Sequence, residues 1–271
     1  MLKKTFNALV VNLKKEKQKK INMQLILNEA AIKFNFFNAI DGSTLSDEEI
    51  KKINTNRKKL KGSPFNRDLT QGEIGCLLSH YEIYKKINEN DIYLILEDDI
   101  NIDDKLQDFL QRTSFLPKNW DVILVGHHVL RSRPARIALR NRYRLSNYTL
   151  GKPVELAFGT YGYLINYQGA QKLIKALNNI NAPIDHYTGN RFIVNTYALL
   201  EPLILFQDDL SASDIEIHRN IEYVSSGKGL TESIKKLSVN SPLFPILKKT
   251  RDCFWNAKAR LAALISSGKY L

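Results

Sequence analysis

Three consecutive carboxylates follow an apolar run near the middle of the chain. Residues 92–96 are uninterrupted by charge, and Glu97, Asp98 and Asp99 come directly after them. Adjacent carboxylates repel one another, and a divalent cation that prefers oxygen ligands offsets that repulsion. The pattern therefore predicts a site for a hard divalent cation at Glu97, Asp98 and Asp99. An alternative stays open, because acids in the first turn of a following helix also interact well with its dipole.

Strand-length apolar runs alternate with helix-like segments. The pattern predicts strands at 6–11, 34–40, 92–96, 122–125 and 161–166, and helices at 17–31, 46–60, 73–87, 103–110 and 168–177. Ser46 and Glu49 have the spacing of a helix capping box. This alternation predicts an α/β fold with a mainly parallel sheet flanked by helices. Ligands of such sheets bind beyond the carboxyl ends of the strands, where the three acids are expected.

The chain has 271 residues, 40 lysines and arginines and 28 acids, which gives a formal net charge of +12. The length fits one catalytic domain at residues 1–225 and a basic tail at 226–271. Aromatic side chains are interspersed in that tail, which predicts peripheral contact with an anionic membrane surface. A helix packed on the main domain explains the tail equally well.

Composition and targeting signals narrow the function classes. The two cysteines, Cys76 and Cys253, lie far apart without metal-type spacing, which argues against a disulfide scaffold or a zinc module. The apolar stretch at 8–13 is too short for a signal peptide, and no run approaches the roughly 20 apolar residues of a membrane span. A cytoplasmic location is the expectation. The positive charge alone also fits a nucleic-acid-binding protein, but the arginines and aromatics form no recognised nucleic-acid module.

Six ordered segments carry a resemblance to a known family. They are VNL at 11–13, NAIDG at 38–42, LTQGEIGCLLSH at 69–80, LEDD at 96–99, GTYGY at 159–163 and PID at 183–185. Over residues 5–215 the chain resembles the family 25 glycosyltransferases, the bacterial lipooligosaccharide galactosyltransferase type. The resemblance implies a GT-A-like fold, a UDP-sugar donor, a divalent metal that is usually Mn²⁺ with Mg²⁺ as an alternative, and inversion at the anomeric carbon.

The resemblance also implies residues for the nucleotide. Asn12, Leu13, Asp41 and Gly42 would lie at the uracil and ribose, where a short polar side chain and a glycine can approach closely. Taken alone, Asp41 and Gly42 are more typical of an ordinary turn.

A polar wall for the donor is implied at the LTQGEIGCLLSH segment. Its residues are Gln71, Gly72, Glu73, Ser79 and His80. The free amide groups of a helix start suit phosphate or sugar oxygens. His80 can instead be a core histidine, and Glu73 can simply favour the helix start.

The last two segments imply the sugar site and the catalytic base. Gly159, Thr160 and Tyr163 would approach the donor sugar, with a tyrosine ring stacked on its apolar face, although Tyr161 can equally belong to the core. Asp185 falls at the family's second acidic motif, and an inverting transfer needs one base to take the proton of the acceptor hydroxyl. A helix N-cap is the alternative role for Asp185.

Together these expectations describe a metal-dependent hexosyltransferase that moves galactose from UDP-galactose to a lipooligosaccharide at the inner membrane face. UDP-glucose and UDP-N-acetylglucosamine are alternative donors, and a nucleotidyltransferase or phosphatase could use the same acids. Two basic runs, at 51–61 and 131–144, either grip acceptor phosphate groups or are solvated faces. Weaker site candidates lie near the end of this region, namely Gln207, Asp208, Asp209, Ser213, Asp214 and His218.

Overall fold

The computed structural model describes residues 5–60, 67–127, 137–154 and 156–206. In these ranges the strands are β1 (Thr5–Asn12), β2 (Asn35–Asn38), β3 (Asp91–Glu97), β4 (Ile100–Ile102), β5 (Val122–Leu124), β6 (Leu139–Leu145), β7 (Tyr148–Pro153), β8 (Gly162–Asn166), β9 (Thr196–Leu199) and β10 (Ile204–Phe206). The helices are α1 (Lys17–Glu29), α2 (Asp47–Lys59), α3 (Gln71–Tyr84), α4 (Leu106–Gln111), α5 (Tyr167–Leu177) and α6 (Asp185–Thr188), with 3₁₀ turns at Gly42–Thr44 and Thr113–Phe115.

The main sheet of the described region has eight strands in the order β2-β1-β3-β8-β5-β9-β7-β6. β1 is parallel to β2 and β3, and β5 is parallel to β9, whereas β8 and β7 run antiparallel to their neighbours. Six of the eight strands therefore point the same way, and the expected mixed, mainly parallel α/β sheet is confirmed. β4 and β10 form a separate antiparallel pair.

Both faces of the sheet are covered, which explains why β3 is continuously apolar. Leu94 and Leu96 pack into one core with α1 and α4, whereas Ile95 between them packs into a second core with α3 and α5. Successive side chains of a strand point to opposite faces, so one strand supplies both cores. The end of β3 is fixed between two layers, and the acids that follow it are held by that packing.

Several predicted elements are confirmed and others were missed. α2 begins with the predicted capping box, in which Ser46 and Glu49 bond reciprocally. The helix predicted at 103–110 begins only at Leu106, because the chain first forms β4. The hairpin of β6 and β7 was not predicted, since five consecutive residues of β6 are exposed and show no alternation.

Parts of the sequence-based prediction lie outside the described residues. These are the tail at 226–271, the weaker candidates from Gln207 to His218, and the first part of the arginine-rich run, residues 131–136. Among the residues that are described, no helix has the length and apolar character needed to cross a bilayer. The domain boundary, the membrane contact and the cytoplasmic location therefore stay predictions.

Candidate functional site

The segments that carry the predicted site residues meet at one edge of the sheet, where the parallel strands end. β1, β2, β3, β5 and β9 end at this edge, and β8 begins there because it runs the opposite way. Asn12, Asp41, Glu97 and Gly159 therefore approach the same edge from different parts of the chain. This is the position at which open α/β sheets bind their ligands.

The acidic edge, defined as Glu97, Asp98 and Asp99, lies in the bend between β3 and β4. Glu97 is the last residue of β3, and β4 starts at Ile100. α4 begins at Leu106, with β4 in between. The alternative in which these acids cap the following helix is therefore wrong, because the dipole acts only over the first turn.

The electrostatics of the acidic edge favour a bound cation. Burial raises the pKa of Asp98, and burial together with the neighbouring charge of Glu97 raises the pKa of Asp99 to about 7. Within the described region, Asp99 Oδ1 is buried and accepts no hydrogen bond. A divalent cation with oxygen ligands would relieve both the repulsion and the unpaired atom. The residues present fit such an ion, and Glu97 and Asp99 are the best-placed carboxylates to hold it.

Two buried polar side chains orient the acids. Asn12 Nδ2 donates to Asp98 Oδ2 at 2.6 Å and to the Glu16 carbonyl at 3.2 Å. Thr160 Oγ1 donates to Glu97 Oε1 at 3.1 Å. Both side chains are buried. Asn12 and Thr160, predicted to contact the donor, therefore hold its expected metal ligands in place in this conformation.

Lys19 is a cation of the acidic edge that the sequence interpretation missed. Its Nζ atom, carried by α1, lies 3.8 Å from Asp98 Oδ1 and 4.0 Å from Asp99 Oδ2. This charge lowers the pKa of both aspartates, although burial outweighs it. The surrounding run of lysines gave no signal to separate Lys19 from its solvated neighbours.

The turn–helix wall, defined as Asp41–Thr44 and α3, joins two motifs of the sequence through glycine. A Cβ atom on Gly42 would overlap the carbonyl of Gln71, and one on Gly75 would lie 2.7 Å from the amide nitrogen of Gly42. Ser79 Oγ accepts from the Ile40 amide at 2.8 Å and donates to the Gly75 carbonyl at 2.7 Å. The roles of Gly42 and Ser79 here are to pack the turn against the helix.

Glu73 is likewise engaged within the turn–helix wall. It forms a capping box with Thr70, and both of its oxygens accept from Arg67 at 2.8 and 2.6 Å. Glu73 is 2% exposed. A direct donor contact therefore does not fit this conformation, and the helix-start role that the sequence left open is the one observed. Arg67 gave no recognisable signal in the sequence.

Asp41 keeps an accessible carboxylate at the start of the same turn. Hydrogen bonds from Ser43 and then Lys15 lower the pKa of Asp41 to about 2. Lys15 Nζ lies 2.9 Å from Asp41 Oδ2. Leu13, Gln71 and Gly72 also retain exposed surface. These four are the predicted donor residues that a nucleotide can reach without rearrangement.

His80 is buried in a chain of aromatic hydroxyl groups. Its Nδ1 lies 2.7 Å from Tyr163 Oη, which in turn lies 2.9 Å from Tyr84 Oη. Burial raises the pKa of both tyrosines, so the hydroxyls stay protonated. The predicted stacking of Tyr163 on a sugar does not fit this conformation, because the ring has no exposed surface.

The segment before β8 links the acidic edge to α6. Gly159 has a φ of 120°, and a Cβ atom there would collide with the ring of Tyr161, which is itself a core residue. Phe158 packs edge to face on His186, with ring centres 5.1 Å apart. Since Thr160 bonds Glu97, this short segment contacts both the acidic edge and His186 of α6.

Asp185 is not a helix cap. It is the first residue of α6, the N-cap is Ile184, and no side chain makes a capping bond. Asp185 Oδ1 is buried and accepts no hydrogen bond from the residues that the structure describes, while 19% of the side chain remains exposed. His186 Nε2 lies 4.0 Å from the same oxygen. A carboxylate oxygen that accepts no hydrogen bond beside an exposed face is available to accept a proton.

Comparison with known proteins agrees with this geometry. Residues 6–188 match the family model described as glycosyltransferase family 25 (LPS biosynthesis protein). The chain is 29% identical over 174 residues to procollagen galactosyltransferase 2 of Homo sapiens, covering 62% of this chain and 27% of the relative. It is 30% identical over 190 residues to a glycosyltransferase 25 family member of Aedes aegypti, covering 66% and 29%.

The alignments cover only part of each relative, so the relatives' activities and substrates are not assigned to this chain from them. The chain spans less than a third of the length of these curated relatives. The expected family is confirmed, whereas the bacterial lipooligosaccharide subgroup stays a prediction, because these relatives are animal proteins.

Proposed function

Because the chain belongs to glycosyltransferase family 25, we propose that it is an inverting galactosyltransferase that uses UDP-galactose and a divalent cation, Mn²⁺ before Mg²⁺. The observation that carries this proposal is the half-buried acidic edge, where the buried Asp99 Oδ1 accepts no hydrogen bond from the described residues. The names of the relatives support galactose as the transferred sugar. Glucose and N-acetylglucosamine are the alternative sugars.

In the proposed mechanism Glu97 and Asp99 hold the cation, with Asp98 oriented by Asn12. The cation supplies Lewis-acid stabilisation of the charge that develops on the departing UDP. Leu13, Asp41, Gln71 and Gly72 offer exposed surface to the nucleotide. The Asp41 carboxylate is suited to accept hydrogen bonds from ribose hydroxyls, as acids do in other nucleotide sites.

Asp185 is the proposed base. Its carboxylate takes the proton of the acceptor hydroxyl as that oxygen attacks the anomeric carbon. The buried Oδ1, which accepts no hydrogen bond from the described residues, supports this role. Residues 158–160 contact both α6 and Glu97, which supports a coordinated placement of base and leaving group.

The proposed acceptor is a lipooligosaccharide or lipopolysaccharide intermediate. The description of the matching family and the net charge of +12 support an anionic glycolipid. β6 adds three exposed arginines, Arg140, Arg142 and Arg144, that can contact phosphate groups. The reaction is proposed to occur in the cytoplasm at the inner membrane face, without a nucleic-acid partner.

A donor panel tests the function. UDP release from UDP-galactose, UDP-glucose and UDP-N-acetylglucosamine is measured with Mn²⁺, with Mg²⁺ and with chelator. UDP-galactose with Mn²⁺ is expected to exceed every other combination. Asp104→Asn changes an exposed acid between β4 and α4 and serves as a control that keeps activity. A flat response that ignores metal would contradict the proposal. Lipooligosaccharide and procollagen peptide are compared as acceptors, since the relatives' names point to the latter.

A further inference from the structure

α3 carries two potential metal ligands on the side that faces β3. Cys76 and His80 are four residues apart and therefore lie on one face of the helix. Their ligand atoms and a carboxylate oxygen of Glu97 all lie within 4.8 Å of one another. Two adjacent elements thus bring a thiol, an imidazole and a carboxylate together.

The orientation of His80 points to a ligand at this cluster. Nδ1 is held by Tyr163 Oη, so the ring is fixed with Nε2 towards Glu97 Oε1, 3.9 Å away. Nε2 is fully buried and has no hydrogen-bond partner in the described part of the chain. A buried polar atom without a partner is destabilising unless a ligand satisfies it. An imidazole whose second nitrogen is hydrogen-bonded is the usual arrangement of a metal-bound histidine.

We propose that Cys76, His80 and Glu97 form a site for a thiophilic divalent cation of the Zn²⁺ class. Sulfur, nitrogen and oxygen ligands suit Zn²⁺ or Co²⁺, whereas Mn²⁺ and Mg²⁺ prefer oxygen alone. Three protein ligands leave a fourth position for water. Cys76 and Glu97 are half-buried, which gives an ion a path from solvent.

This site is distinct in chemistry from the acidic edge but shares one residue with it. The Glu97 carboxylate has two oxygens, so it can contribute to either cluster. The binding step releases the Cys76 thiol proton to solvent as the sulfur–metal bond forms, with no change of oxidation state. The inference does not depend on the proposed transfer reaction. The spacing of the two cysteines, Cys76 and Cys253, did not predict this site, because the partners of Cys76 in it are His80 and Glu97.

Cobalt titration of the reduced, metal-stripped full chain tests the site. Co²⁺ is expected to produce the near-ultraviolet thiolate-to-cobalt charge-transfer band, and Zn²⁺ is expected to abolish it by displacement. Oxygen ligands at the acidic edge cannot produce this band. Asp99→Asn should therefore leave it unchanged. A native chain without the band would overturn the proposal.

Matched cysteine variants assign the thiolate. Cys76→Ser should remove the band, and Cys253→Ser should keep it; the reverse result refutes the site. Circular dichroism checks that Cys76→Ser is folded. If it is not, Glu97→Gln decides the matter, because loss of this ligand should weaken Co²⁺ binding, read from the thiolate band, at least about tenfold. An unchanged Co²⁺ affinity by this band in Glu97→Gln would exclude the three-ligand arrangement.

Discussion

The turn–helix wall and the acidic edge border the same site and treat their polar groups differently. In the wall, Glu73 and Ser79 are buried and satisfied by neighbouring groups, with His80 Nε2 as the exception described above. At the acidic edge, Asp99 Oδ1 is buried without a described partner, and the pKa of Asp99 is raised. Groups satisfied within the protein stabilise the fold, whereas groups left unsatisfied are available to a ligand. Residues of one family signature thus divide into those that build the site and those that act in it.

The largest expected effect comes from the proposed base. Asp185→Asn should lower the rate of galactosyl transfer by about 10²–10⁴-fold, because general base catalysis is lost. UDP binding measured by calorimetry should be unchanged, since the amide keeps the shape of the side chain. Asp104→Asn, the same change at an exposed acid that precedes α4, is the control. Normal turnover in Asp185→Asn would remove this residue from the mechanism.

Substitution of a metal ligand should lower activity without lowering stability, which is the opposite of the effect expected for a wall residue. Asp99→Asn is expected to reduce Mn²⁺-dependent UDP release by about 10²–10³-fold, because the leaving charge is less well stabilised. The free energy of unfolding in chelator should not fall, since the change removes a buried charge. A loss of stability instead of activity would place Asp99 with the wall residues.

The turn–helix wall should lose stability when a side chain is added where Gly42 packs against the backbone of α3. Gly42→Ala is expected to cost about 3 kcal/mol of unfolding free energy in urea, because the new methyl group overlaps the Gln71 backbone. Gly72→Ala adds the same group at a half-exposed position of α3 and should not destabilise the fold. Equal stability of both variants would show that the close approach is not needed.

The raised pKa of Asp99 predicts a pH dependence. Between about pH 4 and pH 7 the folded chain keeps a proton on Asp99 that the unfolded chain has lost, so stability falls as pH rises. The native chain in chelator should lose about 3 kcal/mol across this window relative to Asp99→Asn, because each unit of pKa shift is worth about 1.4 kcal/mol. Urea unfolding at several pH values measures the difference. Parallel curves of stability against pH for the two proteins would contradict the raised pKa of Asp99. Mn²⁺ should reduce the difference between the two curves.

The smallest effect is expected at Lys19. Lys19→Met removes a positive charge that lies near Asp98 and Asp99, and a half-buried pair of this kind contributes about 1 kcal/mol or less. Mn²⁺ should bind the variant a few-fold more tightly, as measured by titration. Lys17→Met, a change at an exposed position of the same helix, is the control. Weaker Mn²⁺ binding in Lys19→Met would show that the lysine supports the ion rather than competing with it.

The sequence predicted those parts of the site that depend on local pattern. The apolar run of β3 located Glu97–Asp99, and the spacing of Ser46 and Glu49 located the start of α2. The contact of His80 with Tyr163 joins residues 83 positions apart, and no local pattern encodes it. The partners of buried polar residues depend on tertiary packing, which explains why Asn12 and Thr160 were assigned to the donor although they bond the acids.

The reversed direction of β8 places the start of this strand beside the site. Because β8 begins at the ligand edge, the segment that leads into it passes the acidic edge, where Thr160 bonds Glu97, before entering the sheet. Its residues Ala157, Thr160 and Tyr161 belong to the interior. The side of the site next to Glu97 is therefore built from core residues, so its shape is set by the same packing that stabilises the fold.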